Sequence, residues 1–124
     1  MAGRAKSILV GYDGSEASQR ALDAAATLTG YGSTLAVVNV SPEGSPAPRR
    51  PLVEARDRLA RRQVQASYLG RYGDPADRLV ETACDLDVDL VVVGRRQAAL
   101  QRLVLGSVSA QVVRRAPCDV LVVR

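Results

Sequence analysis

Short apolar runs alternate along this chain with segments whose apolar residues have helical spacing. The first run covers residues 7–12, the last covers 119–123, and three others lie between them. After the first run, an i, i+3, i+4, i+7 spacing marks one face of a helix, and its members are Ala21, Ala24, Ala25 and Leu28. The predicted order is β-α-β-α-β-α-β-α-β. Strands that alternate with helices in this way predict an α/β fold, a three-layer α/β/α, doubly wound parallel sheet with right-handed crossovers.

The chain of 124 residues predicts one domain, which we take as residues 1–124. Residues 41–51 contain four prolines and are predicted to form a flexible loop before an arginine-rich helix at about 52–63. The next segment, residues 64–72, alternates apolar and polar side chains, which is typical of an edge strand. Ser15 is the predicted N-cap of the first helix. Asp74 and Pro75 have the order expected for a helix N-cap and first helical residue.

The composition excludes several kinds of chemistry. The chain has no His, Trp or Phe and one lysine, so it lacks the usual parts of Ser-His-Asp catalysis, His-liganded metal sites and base-stacking surfaces. Cys84 and Cys118 do not form a CxxC pair and are predicted to be small buried thiols. The chain start leads into a strand-like run and not into a signal-peptide core, and no run approaches the length of a membrane span, so we expect a cytoplasmic protein.

The net charge of +4 comes from local arginine clusters. One of them, in residues 49–62, has two interpretations: a patch for nucleic acid or an acidic partner, or the solvated face of a helix. Glu54 and Asp57 interrupt the cluster, and Leu52, Val53 and Leu59 give the segment an apolar face. We therefore favour the solvated helix and expect no specific nucleic-acid binding.

The carboxyl ends of the predicted strands locate a candidate site, because ligands of open α/β sheets bind there where the strand order reverses. Asp13 follows the first strand and Gly94 ends the fourth. Gly106 and Ser107 open the last helix, whose free N–H groups and dipole favour an anion such as phosphate. Each residue also has a structural interpretation: Asp13 shapes a turn and caps a helix, and the two glycines supply permissive backbone. The lack of a GxxxxGK[ST] motif excludes a P-loop.

Six segments of the chain form an ordered set of blocks: residues 8–15, 73–76, 89–94, 105–109, 115–118 and 120–123. Taken in order, these segments resemble the universal stress protein family. The resemblance spans essentially the whole chain, and several ordered blocks are far more specific than any single one.

The resemblance implies a strand order of 3-2-1-4-5, as in adenine nucleotide alpha hydrolase-like folds, with a nucleotide cleft between strands 1 and 4. In the nucleotide-binding members, ATP contacts an Asp after strand 1, a residue at the end of strand 2 and a G-x2-G-x9-G-[ST] motif. Carried over by position, with the neighbouring arginine and serine donors, the candidate ligand-binding residues are Asp13, Val40, Gly94, Arg95, Gly106, Ser107, Val108 and Ser109.

This sequence departs from the family motif at its second glycine. Gln97 stands in that place, and eight residues instead of nine separate it from Gly106. The change removes a backbone that can approach a phosphate closely, while Arg95, Arg96 and Gln97 offer side-chain donors in exchange.

We therefore expect a cytoplasmic stress-response module that binds ATP or a related adenine nucleotide as a regulatory ligand, with the need for Mg²⁺ left open. Two alternatives remain: a nucleotide-independent dimeric module that acts through protein contacts, and a slow ATPase. Catalysis beyond weak ATP hydrolysis is not expected. The apolar last strand, residues 120–123, predicts a sheet edge covered by pairing, and the family resemblance makes a homodimer through it the default.

Overall fold

The computed structural model describes residues 6–46, 49–95 and 107–124. Five strands and four helices alternate within these ranges. They are β1 (Ser7–Gly11), α1 (Glu16–Leu28), β2 (Thr34–Ser41), α2 (Arg49–Arg61), β3 (Ser67–Tyr72), α3 (Pro75–Leu86), β4 (Leu90–Gly94), α4 (Ser107–Arg115) and β5 (Asp119–Val123).

The strands form one parallel sheet in the order β3-β2-β1-β4-β5, which confirms the predicted fold class and strand order. Ile8 of β1 lies opposite Leu35 of β2 on one side and Leu90 of β4 on the other. The chain winds from β1 outward to β3 and then returns to build β4 and β5, so the strand order reverses between β1 and β4. The carboxyl ends of these two strands are where a ligand site is expected in this architecture.

Alternate residues of the central strands are buried on opposite faces of the sheet. Ile8 and Val10 face α1 and α2, whereas Leu9 and Val91 face α3 and α4. All four side chains have 1% or less of their surface exposed. Burial on both faces explains why these strands read as nearly continuous apolar runs in the sequence.

Local signals set two of the helix starts as the sequence predicts. Ser15 caps α1 by accepting a hydrogen bond at its Oγ from the Ser18 N–H at 3.2 Å. Asp74 caps α3 in the same way, accepting from the Asp77 N–H at 3.0 Å, and Pro75 is the first helical residue. Proline is tolerated there because the first N–H groups of a helix have no partner within it.

Two predicted boundaries are corrected by the structure. The arginine-rich helix begins at Arg49 and not near residue 52, so the predicted loop at 41–51 is too long. Pro51 fits into the first turn of α2, where its missing N–H costs no helical hydrogen bond. Strand β3 begins at Ser67 and not at Val64, because the Val64 N–H returns to the Leu59 carbonyl at 3.0 Å and prolongs the helix end.

The arginines of α2 serve partly to hold this helix against α1. Arg58 donates from Nε and Nη2 to the two carboxylate oxygens of Asp23, at 2.9 and 2.8 Å. Arg62 lies 3.5 Å from the same carboxylate. The hydrogen bonds from Arg58 lower the pKa of Asp23. These contacts support the solvated-helix interpretation of the cluster, because they use two of its arginines within the fold.

Replacing Arg58 with alanine is expected to lower the free energy of unfolding at neutral pH by up to about 1 kcal/mol, since the pair is only partly buried. Because folding lowers the pKa of Asp23, the stabilisation is complete above the unfolded value of about 3.9 and is lost as the pH falls through the folded value. The free energies of unfolding of wild type and Arg58→Ala are therefore expected to converge at low pH. Urea unfolding of both proteins from pH 7 to pH 2 measures this convergence. Arg56→Ala is the control, because Arg56 is exposed on the same helix and makes no ion pair within the described residues. Equal losses in the two variants would contradict a specific role for the Asp23 contact.

Candidate functional site

A cleft opens at the carboxyl ends of β1 and β4, where the strand order reverses. Its floor is formed by Gly11 and Tyr12 at the end of β1 and by Val93 and Gly94 at the end of β4. The walls are mainly apolar, and they include Val38 and Val40 of β2, Pro75 and Leu79 of α3, Ala17 of α1 and Val108 of α4. Asp13 is the one acidic residue among the described lining residues. The cleft therefore combines apolar walls with a single carboxylate.

The loop that carries Asp13 is held by hydrogen bonds to its own neighbours. Oδ1 of Asp13 accepts from the Ser15 N–H at 2.9 Å, which forms the turn that leads into α1. Oγ of Ser18 accepts from the Gly14 N–H at 3.1 Å and from the Asp13 N–H at 3.3 Å. Gly14 has a φ of 90°, a conformation that favours glycine. These contacts hold the exposed Asp13 at the mouth of the cleft.

A buried amide connects the ends of β1 and β2. Nδ2 of Asn39 donates to the Tyr12 carbonyl at 2.8 Å, and Oδ1 of Asn39 accepts from the Ser41 hydroxyl at 3.1 Å. Asn39 is 4% exposed, so both of its polar atoms are satisfied inside the protein. The bond to Tyr12 holds the end of β2 against the loop after β1, and the bond from Ser41 fixes the Asn39 side chain. Val40 lies between Asn39 and Ser41.

Tyr12 lines the cleft floor, but its side chain is part of the buried cluster under α1 and α2. Burial, together with the nearby Glu54 carboxylate, raises the pKa of Tyr12. Its hydroxyl therefore stays protonated at neutral pH. The chain contains no histidine, and Asp13 supplies the one carboxylate among the described lining residues.

Gly94 is required by packing at the end of β4. A Cβ at this position would lie 2.4 Å from the carbonyl oxygen of Ala17, in the first turn of α1. The backbone oxygen cannot move away without displacing the helix. The next residue, Arg95, donates its N–H to the Val123 carbonyl of β5 at 2.7 Å. Gly94 thus has a structural role, in addition to any role toward a ligand.

The amino end of α4 reaches the cleft through Val108. Ser107 is the first residue of this helix and Ser109 is buried, with 7% of its surface exposed. The first N–H groups of a helix of nine residues lack helical acceptors, and the helix dipole favours an anion beside them. Gly106, Arg96 and Gln97 lie outside the described residues.

The structure brings four of the sequence-predicted residues to the cleft wall: Asp13, Val40, Gly94 and Val108. Arg95 follows Gly94 in the chain and is half-buried, but it is not among the described residues that line the cleft. Ser18, Pro75 and Leu79 also line the cleft and are not among the site residues predicted from the sequence. A serine three residues after the Ser15 cap is a usable signal for Ser18, whereas the apolar spacing of Leu79 indicates only a buried helix face.

Comparison with known proteins identifies the family. The sequence model described as the universal stress protein family matches residues 4–124 of the chain. The chain belongs to the universal stress protein family. A universal stress protein of Thermus aquaticus is 34% identical over 96% of this chain and 98% of its own length. One of Methanothermobacter thermautotrophicus is 46% identical over a shorter match, which covers 44% of this chain and 37% of that relative.

Solved structures agree with the family assignment. A universal stress protein solved in complex with cAMP superposes with a TM-score of 0.81 and 31% identity, over 98% of this chain and 99% of that one. A protein of Mycobacterium tuberculosis H37Rv gives a TM-score of 0.72 and 34% identity, over 100% and 98% of the two chains. In the described part of this universal stress protein, no helix combines the length and apolar character needed to cross a membrane.

Replacing Gly94 with alanine is expected to destabilise the protein by about 2–3 kcal/mol, because the new methyl group would overlap a backbone oxygen. Urea unfolding monitored by circular dichroism measures the change. Gly70→Ala is the matched control in the same sheet, since a Cβ there would meet Leu52 at an ordinary 3.8 Å. We expect Gly70→Ala to be neutral or slightly stabilising. Equal stability of both variants would show that α1 does not pack on Gly94 as described.

Proposed function

We propose that this universal stress protein is a cytoplasmic stress-response module that binds an adenine nucleotide in the cleft between β1 and β4 as a regulatory ligand. The observation that carries the proposal is the cleft itself. Apolar side chains and one carboxylate line it at the place where open α/β sheets bind ligands. A relative that is 31% identical over nearly its full length was solved in complex with cAMP, which supports the same ligand class here.

The nucleoside is proposed to occupy the part of the cleft between β1 and β2. Val38, Val40 and Leu79 offer an apolar surface for a purine ring. Asp13, at the mouth, offers a carboxylate that accepts hydrogen bonds from ribose hydroxyls. A mostly apolar pocket with a few fixed polar groups is typical of small-molecule sites. Ser18 accepts a hydrogen bond from the Gly14 N–H, and Asn39 donates one to the Tyr12 carbonyl. These bonds hold the loop after β1 and the end of β2 in place, which supports preorganised binding.

The phosphate is proposed to lie between Gly94 and the amino end of α4. The helix dipole at the amino end of α4 and the charge of the Arg95 side chain supply positive potential for an anion there. The proposed ligand is ATP or a related adenine nucleotide such as cAMP. The proposed site residues are the eight identified from the sequence: Asp13, Val40, Gly94, Arg95, Gly106, Ser107, Val108 and Ser109. Gln97 in place of the second motif glycine reduces the backbone surface for a long phosphate chain.

We propose a regulatory and not a catalytic role for the ligand. Asp13 is the one described lining group suited to be a base, and its Oδ1 accepts the Ser15 N–H. The chain also has no histidine and one lysine. Hydrolysis of ATP, if any, is expected to be slow.

A nucleotide-independent dimer is the second candidate function. Strand β5 lies at one edge of the sheet, and Leu121 has 37% of its surface exposed. An apolar edge strand is normally covered by pairing with another chain. We propose a homodimer through β5, and in this alternative the dimer acts through protein contacts without a nucleotide.

The test is calorimetric titration of nucleotide-stripped protein with cAMP and with ATP. Asp13→Asn is expected to weaken binding about tenfold, or about 1.4 kcal/mol, through loss of one charge-assisted hydrogen bond. Asparagine retains an oxygen that can accept from the Ser15 N–H, so the turn is preserved. Asp85→Asn is the control, because it makes the same charge change on an exposed residue in the last turn of α3.

Three outcomes decide between the candidates. Binding that Asp13→Asn weakens and Asp85→Asn leaves intact supports the proposed site. No binding of either nucleotide up to millimolar concentration rejects it and favours the dimeric module. Turnover of ATP at a rate that is lost in Asp13→Asn would favour the slow ATPase.

A further inference from the structure

The two cysteines do not have the buried environment that the sequence analysis predicts for both. Cys84 is exposed on the last turns of α3, so that prediction is wrong for this residue. Cys118 is half-buried and immediately precedes β5. Both are free thiols.

The fold brings the two cysteines to the same end of the sheet, where β4 and β5 begin. The chain reverses after α3, where the Asp87 N–H donates to the Cys84 carbonyl and the Val88 N–H donates to the Ala83 carbonyl, both at 3.2 Å. Strand β4 then begins at Leu90, which lies opposite Asp119 at the start of β5. Cys84 and Cys118 are thus each close to the amino ends of this neighbouring pair of strands.

The end of α3 and the segment that precedes β5 pack on the same side of the sheet. Ala83, which precedes Cys84, is fully buried in the apolar cluster under α3 and α4. Val88 belongs to this cluster, and Cys118 packs against it. An ion pair of 2.9 Å between Arg115 and Asp77 also joins α4 to α3. The end of α3 and the connection from α4 to β5 therefore share one packed region.

We propose that Cys84 and Cys118 form a redox pair whose intramolecular disulfide joins the end of α3 to the start of β5. The oxidant is a small-molecule disulfide. The Cys84 thiolate attacks it, releases one small thiolate and forms a mixed disulfide. Cys118 then loses its proton to solvent and attacks the Cys84 sulfur, which releases the second small thiolate. Two protein thiols are oxidised and one small disulfide is reduced to two thiols.

The surroundings assign different roles to the two sulfurs. Burial raises the pKa of the Cys118 thiol, and the carboxylates of Asp119 and Asp89 and the Cys84 thiolate act in the same direction. Exposed Cys84 is therefore the thiol that meets the oxidant, and Cys118 is the resolving thiol. A thiol of raised pKa is a slow leaving group, so the disulfide is expected to resist reduction once formed.

The disulfide would constrain a segment that includes part of the cleft. Residues 84–118 contain β4, Gly94, α4 and the altered glycine motif. Closing this loop lowers the conformational entropy of the unfolded chain and restricts local opening of the segment. Oxidation is thus expected to raise the melting temperature, and dithiothreitol is expected to reverse the change. Formation of the bond does not depend on nucleotide binding.

The test treats reduced wild-type protein with oxidised glutathione at pH 8 under native conditions, followed by intact-mass and peptide mass spectrometry. We expect the mass to fall by two hydrogens, with a cross-linked peptide that contains Cys84 and Cys118. The variant Cys118→Ser is expected to retain a stable glutathione adduct on Cys84, because no resolving thiol is present. Cys84→Ser, a change at an exposed site, is expected to react at least tenfold more slowly than wild type.

Other results would overturn the proposal. A lasting glutathione adduct on wild-type Cys84, a disulfide between two chains, or unreactive thiols would each show that the cysteines do not pair. Circular dichroism of Cys84→Ser and Cys118→Ser is the control measurement that tests whether each variant is folded. Because the wild-type product is measured directly, the proposal remains testable even if Cys118→Ser is destabilised.

Discussion

The structure depends on the parallel pairing of β1 with β2 on one side and with β4 on the other. The chain reaches these two neighbours by building the sheet first in one direction from β1 and then in the other. β2 follows β1 through α1, whereas β4 returns to the other side of β1 after β3 and α3. The connections that leave the carboxyl ends of β1 and β4 therefore diverge. A crevice between them follows from the strand order. Apolar residues on both faces of β1 hold this central strand in place.

The cleft is shaped by a few short-range contacts around that crevice. Ser18 binds two N–H groups of the loop after β1, and Asn39 joins that loop to the end of β2. Gly94 lets α1 approach the end of β4 closely enough that a methyl group would overlap Ala17. Each contact fixes backbone and not a reactive side chain. The result is an ordered cleft surface with one carboxylate, that of Asp13, among its described lining residues.

The sequence predicts the fold well because burial on both faces produces apolar runs that alternate with amphipathic helices. It predicts the caps at Ser15 and Asp74 because those hydrogen bonds are local. It misplaces the start of β3, because residues 64–66 continue the alternation of apolar and polar side chains that is typical of a strand. The hydrogen bond from the Val64 N–H to the Leu59 carbonyl instead holds this segment at the end of α2. It also misjudges Cys84, because the preference of cysteine for burial does not say on which side of α3 the thiol lies.

The candidate site is predictable to different degrees. Asp13 and Gly94 follow from the switch-point rule, whereas Val40 and Val108 follow from the family resemblance. Pro75 and Leu79 line the cleft because of the way α3 packs across the sheet, which no local pattern encodes. Gly106 and Gln97 lie outside the described residues, so their contribution to phosphate binding stays a prediction.

Nuclear magnetic resonance of ¹⁵N-labelled protein during titration with cAMP shows where the nucleotide binds, because each backbone amide reports separately. We expect saturable shifts of the amides of Tyr12, Asp13, Gly14, Val40 and Gly94. Little change is expected at the exposed groove formed by Arg56, Gln63 and Tyr68. Shifts that concentrate in that groove, or none up to millimolar cAMP or ATP, would contradict the proposed cleft site.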